Sequence, residues 1–351
     1  MSILLLPPEL KLNIIEHTDP ESTFQFALTS RDHFQLCRDL LQEHAKLFAQ
    51  YSIIDASNPG PVLWDTLKTI LQDPRKAWYV RDLSLPNTRQ ERWEGDFSED
   101  ELDLYKAAVE ELVPIYSYEP TFFAVEQEND GRGKLEEDDL NELIEAGVDD
   151  PIIILLIHNL PRLKTFRMTV GYRGVDLFET FARRVAAGYQ DPALAPRMPL
   201  KHLKNVAVAH HDSEFCCSVD WAVYFLCIPS VRLFTALSMG SEGIAEYDGE
   251  NSEAHLRTVT NTPVSNVEEI CFTHCQFDVR SFETILPLVK NLKKFTYEAG
   301  GAIVAYQDYE ARRVIQALAT HVGHSLEQLF LEESDIGMEV SSSLAQVSIV
   351  Y

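Results

Sequence analysis

Apolar residues recur at helical spacing up to residue 41 and, beyond residue 75, in short strand-like phrases that keep returning. The helical part is tightly punctuated. Pro7 and Pro8 suit a helix start, because proline at the first position gives up no hydrogen bond. Leu10, Ile14 and Ile15 then fall on one face. Asp19-Pro20-Glu21 repeats the start signal, with Asp19 as N-cap, and Phe24, Ala27 and Leu28 form the second stripe. Thr29 or Ser30 caps a third helix, striped by Phe34, Cys37, Leu40 and Leu41. Ile3, Leu4, Leu5, Leu6 and Leu12 are left over. Three short helices cannot hide so many apolar groups, so the surplus either packs on the rest of the chain or forms a docking surface.

The later phrase has the form LxxLxL. It occurs at Val80–Leu85, Leu163–Met168, Leu203–Val208, Val231–Ala236, Val267–Phe272, Leu292–Tyr297 and Leu326–Leu331. Amphipathic segments of helical length lie between most copies: 152–159, 177–187, 221–227, 282–289 and 309–321. Helix, turn and strand in rotation predict an α/β solenoid with a parallel sheet along one side. A doubly wound α/β domain is the competitor, but the chain has no G-x-G-x-x-G and no P-loop. Two stretches interrupt the array. Residues 91–150 are crowded with acids and are expected to be only partly packed, around a helix at 136–145. Residues 240–264 lack periodicity and read as a long loop or flap. The closing SSSLAQVSIVY has no charged capping helix, which suggests a truncated chain or an unusual terminal cap.

Charge narrows the function. A formal net charge of −25 argues against nucleic acid or an anionic membrane as the main partner, since phosphate binding is driven by Lys and Arg. Six cysteines in 351 residues are too sparse for a disulfide scaffold. The start lacks the basic and apolar regions of a signal peptide, so the expected setting is intracellular, in cytoplasm or nucleus.

Candidate chemistry is thin. Cys271, His274 and Cys275 have close ligand spacing, and His210-His211 with Cys216-Cys217 would have to complete a tetrahedral zinc site. Against it, Ile270 and Phe272 point inward on a strand, so Cys271 and Thr273 point to the other face, and Cys275 falls where leucine-rich repeats, which these phrases resemble, place a ladder Asn or Cys. Glu126-x-Glu128-x-Asp130-Gly131 with Glu137 imitates a calcium loop, but an acidic turn before a helix explains it more simply. No G-x-S-x-G or H-E-x-x-H is present, and no cysteine lies in a basic neighbourhood apart from Cys37, beside Arg38. The chain reads as non-catalytic, with no cofactor and no metal.

Leu6-Pro7-Pro8-Glu9-Leu10, Ile14-Ile15, Asp19-Pro20 and Ala27-Leu28-Thr29-Ser30-Arg31 together resemble an F-box of the fungal type, over residues 3–45. Thr18 departs from the pattern, which has an apolar residue before Asp-Pro. The repeats are similar to the degenerate leucine-rich repeats that follow many F-boxes. The resemblance implies an F-box at 1–48, a helical linker at 49–78 and a repeat solenoid at 79–351. It also implies that Leu6, Pro7, Glu9, Leu10, Ile14 and Leu28 bind a Skp-family adaptor and, through it, a cullin. The chain would then be the substrate-recognition subunit of a ubiquitin ligase. The alternatives are an F-box protein in a non-ligase structural or regulatory complex and a metal- or thiol-dependent enzyme. Strand alternation places Thr165, Arg167, Thr169, Asn205, Thr273, Lys294, Glu298 and Glu332 on the outward face, with His210 and His211 at a strand end. That row is the expected surface for an unidentified protein substrate.

Overall fold

The N-terminal helices follow their caps. A computed structural model describes residues 6–57, 61–86, 97–118, 122–124, 135–170, 176–212, 215–241, 257–258, 263–300, 310–334 and 349–350. Helices α1 (Pro8–Glu16), α2 (Pro20–Leu28) and α3 (Arg31–Tyr51) open the chain. Asp19 Oδ1 accepts from the Ser22 amide at 2.9 Å, and Ser30, rather than Thr29, caps α3 through the His33 amide at 3.1 Å. Their shared core is small: Ile15, Ala27 and Cys37, flanked by Phe26, Leu40 and Leu41. Of the three apolar residues expected to share a face in α1, only Ile15 is buried. Thr18 costs the module little, because its hydroxyl donates to the Ile15 carbonyl and hydrogen-bonds Thr23.

Strands and helices then alternate. In chain order the strands are β1 (Ile53–Asp55), β2 (Asp82–Leu85), β3 (Phe123–Ala124), β4 (Thr165–Val170), β5 (Asn205–His210), β6 (Cys217–Ser218) and β7 (Leu233–Leu237). They continue as β8 (Met239–Gly240), β9 (Arg257–Thr258), β10 (Glu269–Cys275), β11 (Lys294–Gly300), β12 (Gln328–Ser334) and β13 (Ile349–Val350). The helices are α4 (Val62–Gln72), α5 (Glu99–Tyr116), α6 (Glu137–Glu145), α7 (Asp149–Asn159), α8 (Asp176–Gln190), α9 (Asp220–Leu226), α10 (Val279–Ile285) and α11 (Ala311–His321).

One sheet runs β1-β2-β4-β5-β7-β10-β11-β12-β13. It is parallel throughout except at its end, where β13 pairs antiparallel with β12 through Gln328 and Val350. The sheet begins at Ile53, inside the stretch expected to be a helical linker, because β1 pairs in register with β2. The central apolar residue of each phrase stacks on the next: Leu83, Phe166, Val206, Phe234, Ile270, Phe295 and Leu329 are register partners in turn, and all are buried. Each such side chain contributes about 1.5–3 kcal/mol on leaving water. The helices cover the inner side, α4 against α7, α7 against α8, and so on to α10 against α11. Helix α7 lies between neighbours and is buried from Pro151 to Ile157, which accounts for its apolar character all round.

The acidic interruption is better packed than its composition suggests. Ser98 and Glu101 form a capping box at the start of α5, and Tyr105, Val109, Leu112 and Tyr116 along its inner face are buried. Arg184 of α8, itself buried, donates to the Tyr116 carbonyl at 2.7 Å and locks the far end. The two interruptions also meet, since β3 pairs antiparallel with β9. The calcium-like stretch from Glu126 to Lys134 and most of 240–264 lie outside the described residues.

Candidate protein-recognition surfaces

Two surfaces offer groups to a partner. The first is the helical module. Leu10 and Ile14 sit one turn apart on α1, Phe24 and Leu28 one turn apart on α2, and all four are exposed, as is Phe34 on α3. Leu28 is 61% exposed, an unusual state for a leucine on a helix with so little core of its own. Pro7 and Glu9 are exposed beside them, whereas Leu6 is half-buried. Among the described residues the exposed apolar groups lie on the helices' own stripes; Leu6 and Leu12 are half-buried, and Ile3, Leu4 and Leu5 lie outside the described residues. A groove lined by Pro8, Lys11, Phe26, Ser30, His33 and Leu36 runs between the helices. His33 is fixed there, stacked 4.1 Å from Phe26 and 2.7 Å from the Thr29 hydroxyl.

The second surface is the outward face of the sheet. Thr165, Arg167, Thr169, Asn205, Thr273, Lys294, Glu298 and Glu332 are half-buried or exposed there. Two of its cations, Arg167 and Lys294, pair with carboxylates on neighbouring strands. Arg167 contacts both carboxylate oxygens of Asp82, at 2.9 and 2.8 Å. Lys294 Nζ lies 2.5 Å from Glu269, and His274 Nδ1 lies 3.3 Å from Glu298. His210 is a correction to the expected row. It sits one residue past outward-facing Ala209 and so turns inward, buried, with Nδ1 accepting from the Asp212 amide at 3.2 Å. Burial holds its imidazole below the usual histidine range. His211, one residue further, is exposed.

The same face carries apolar residues that a polar reading passes over: Ile53, Leu237 and Phe330 are all exposed. They stand at odd positions of their strands, so strict period-two counting from the inward leucines would have found them.

The thiols do not form a reactive centre. Cys37, Cys217, Cys227 and Cys275 are buried; Cys216 and Cys271 are half-buried. Burial pushes the Cys227 and Cys275 thiols far up, which keeps them protonated. Cys275 Sγ instead accepts the Met239 amide at 3.4 Å, a ladder contact between neighbouring turns. Cys271 is half-buried on the outward side, whereas Cys275 is buried after the register shift between Phe272 and Cys275, where His274 takes a φ of 51°. Among the described residues no group of three or more His, Cys, Asp or Glu is arranged to hold a metal ion. Nor is any described helix long and apolar enough to cross a membrane.

A family model described as a leucine-rich repeat domain matches residues 54–328, from the middle of β1 to the first residue of β12. Helices α1–α3 lie outside the matched span. No curated protein matches the chain.

Proposed function

The chain belongs to the leucine-rich repeat family, and from that premise we propose that it is a non-catalytic recognition subunit of a cullin–RING ubiquitin ligase. In this reading α1–α3 are an F-box that docks on a Skp-family adaptor, and the repeat sheet holds a target protein. The observation that carries it is the exposed apolar set Leu10, Ile14, Phe24, Leu28 and Phe34, mounted on helices whose own core is Ile15, Ala27 and Cys37. Leu6, Pro7 and Glu9 extend the same end of the module. Desolvating a few such anchors at an interface is worth about 2 kcal/mol or more each where they act as hot spots. The chemistry takes place elsewhere: the subunit raises the effective concentration of a target lysine near activated ubiquitin.

Co-expression with a Skp-family adaptor tests the docking. The wild-type chain is expected to retain the adaptor through purification and to bring cullin with it, and Leu10→Ala/Leu28→Ala to release both. Wild type that fails to hold the adaptor, or a double variant that holds it equally well, rules the F-box reading out. Adaptor retained without cullin indicates a non-ligase complex.

A further inference from the structure

We infer that the leading edge of the repeat sheet, where the chain enters the parallel strands, binds an acidic linear segment of a partner protein. This inference does not depend on how α1–α3 dock. Adjacent turns are joined just before the strands by a ladder of backbone hydrogen bonds. The Lys164 amide donates to Arg81, Lys204 to Lys164 and Arg232 to Lys204, at 2.7–2.8 Å, and Glu268 donates to Arg232 at 2.9 Å. Arg81, Lys164, Lys204 and Arg232 are thus consecutive rungs, four cations in line on a chain of net charge −25. Neighbouring strands lie about 4.8 Å apart, so the row spans about 15 Å.

Further cations thicken the row. Arg162 and His202 stand two residues ahead of the Lys164 and Lys204 rungs. Arg162, Arg81 and Lys164 all act on the His202 ring, which places them around it, and burial together with these cations disfavours its charged form. The acids that face the group are few. Arg162 is taken by Glu21 of α2 at 2.6 Å, with Asp19 at 3.8 Å, and Arg232 approaches Glu268 only at 4.0 Å. Arg81 is held in place by the Trp78 and Val80 carbonyls. Lys164 and Lys204 are exposed and make no ion pair among the described residues. From Arg232 the edge continues into a polar groove lined by Asn266, Glu268, Lys293 and His324.

An extended segment sets same-side residues about 6.8 Å apart, so two or three carboxylates fall along the row. Glu21 at one end, with Glu268 and Glu327 at the other, limits the length that is attracted. A longer polyphosphate would run onto these acids whereas a short acidic segment fits between them, so the partner is an acidic peptide rather than nucleic acid.

Fluorescence anisotropy of the 351-residue chain with a labelled short polyglutamate peptide tests this, with polyglutamine and oligothymidylate of equal length as comparators. At low ionic strength the polyglutamate peptide is expected to bind, and Lys164→Glu/Lys204→Glu to weaken it by about tenfold or more, as does raising the salt to about 0.15 M. Arg38→Glu/Lys46→Glu on α3 makes the same charge change elsewhere and should weaken it much less. Thermal unfolding checks that the variants fold; if charge reversal disturbs the edge, Lys164→Gln/Lys204→Gln replaces it, with the same direction expected. The inference is overturned if polyglutamate does not bind, if the α3 control loses as much as the edge variant, or if oligothymidylate binds more tightly.

Discussion

Leu10 and Ile15 are five positions apart on one short helix and have opposite fates, which gives a sharp comparison at the scale of residues. Leu10 is 52% exposed and Ile15 is 3% exposed. Ile15→Ala is expected to cost about 2–5 kcal/mol locally, enough to unravel so small a core. Leu10→Ala/Leu28→Ala is expected to leave stability within about 0.5 kcal/mol of wild type. Hydrogen exchange in α1–α3 distinguishes the two; a double variant as destabilised as Ile15→Ala would mean that those leucines are packed. The thiols give a second prediction. Only Cys216 and Cys271 are even partly exposed, so titration with a thiol reagent should modify two of the six cysteines in the native protein and all six after unfolding. The resemblance to leucine-rich repeats marks Cys275 as a ladder position, whereas strict alternation would turn it outward with Cys271; the register shift between Phe272 and Cys275, with His274 at φ 51°, is what brings it inward. Strict alternation does separate His210 from the outward row, since one step past Ala209 along β5 reverses the face.

At the scale of elements, caps and prolines placed helix starts well, and the LxxLxL phrases located seven of the strands. Averaged composition hides how the acidic stretch packs. Residues 91–150 look unfit for burial when their acids are pooled, yet α5 segregates them from Tyr105, Val109, Leu112 and Tyr116. Glu101 adds a pH signature. Its hydrogen bond to Lys68, together with those from Ser98, holds the carboxyl at about 2, below its usual 4.5. A depressed carboxylate stabilises the fold above its unfolded-state value and loses that contribution as pH falls towards the folded one. Glu101→Gln is therefore expected to lower the thermal midpoint at neutral pH, and the difference from wild type should shrink as pH drops from about 4.5 towards 2. A constant gap across that range would show that lost packing, not charge, was responsible. The basic edge was also legible. The first intervening residue of every phrase is charged, in the order Arg81, Lys164, Lys204, Arg232, Glu268, Lys293 and Glu327, but a search confined to the sheet face skips that column.

For the whole molecule, register explains why the repeats hold without regular spacing. Only the seven-residue stack from Leu83 to Leu329 must align, so helices and interruptions of different length can hang between strands. The division of labour follows from the same geometry. The sheet pairs its outward cations Arg167 and Lys294 internally and exposes apolar residues singly, whereas α1–α3 gather Leu10, Ile14, Phe24, Leu28 and Phe34 on one small module. The adaptor should therefore leave its footprint on the module and not on the sheet. Hydrogen-exchange mass spectrometry of the chain with and without a purified Skp-family adaptor tests this most directly. New protection is expected in residues 8–34, with β4, β5, β7, β10 and β11 unchanged. Protection confined to the sheet strands, or none in α1 and α2, would contradict it.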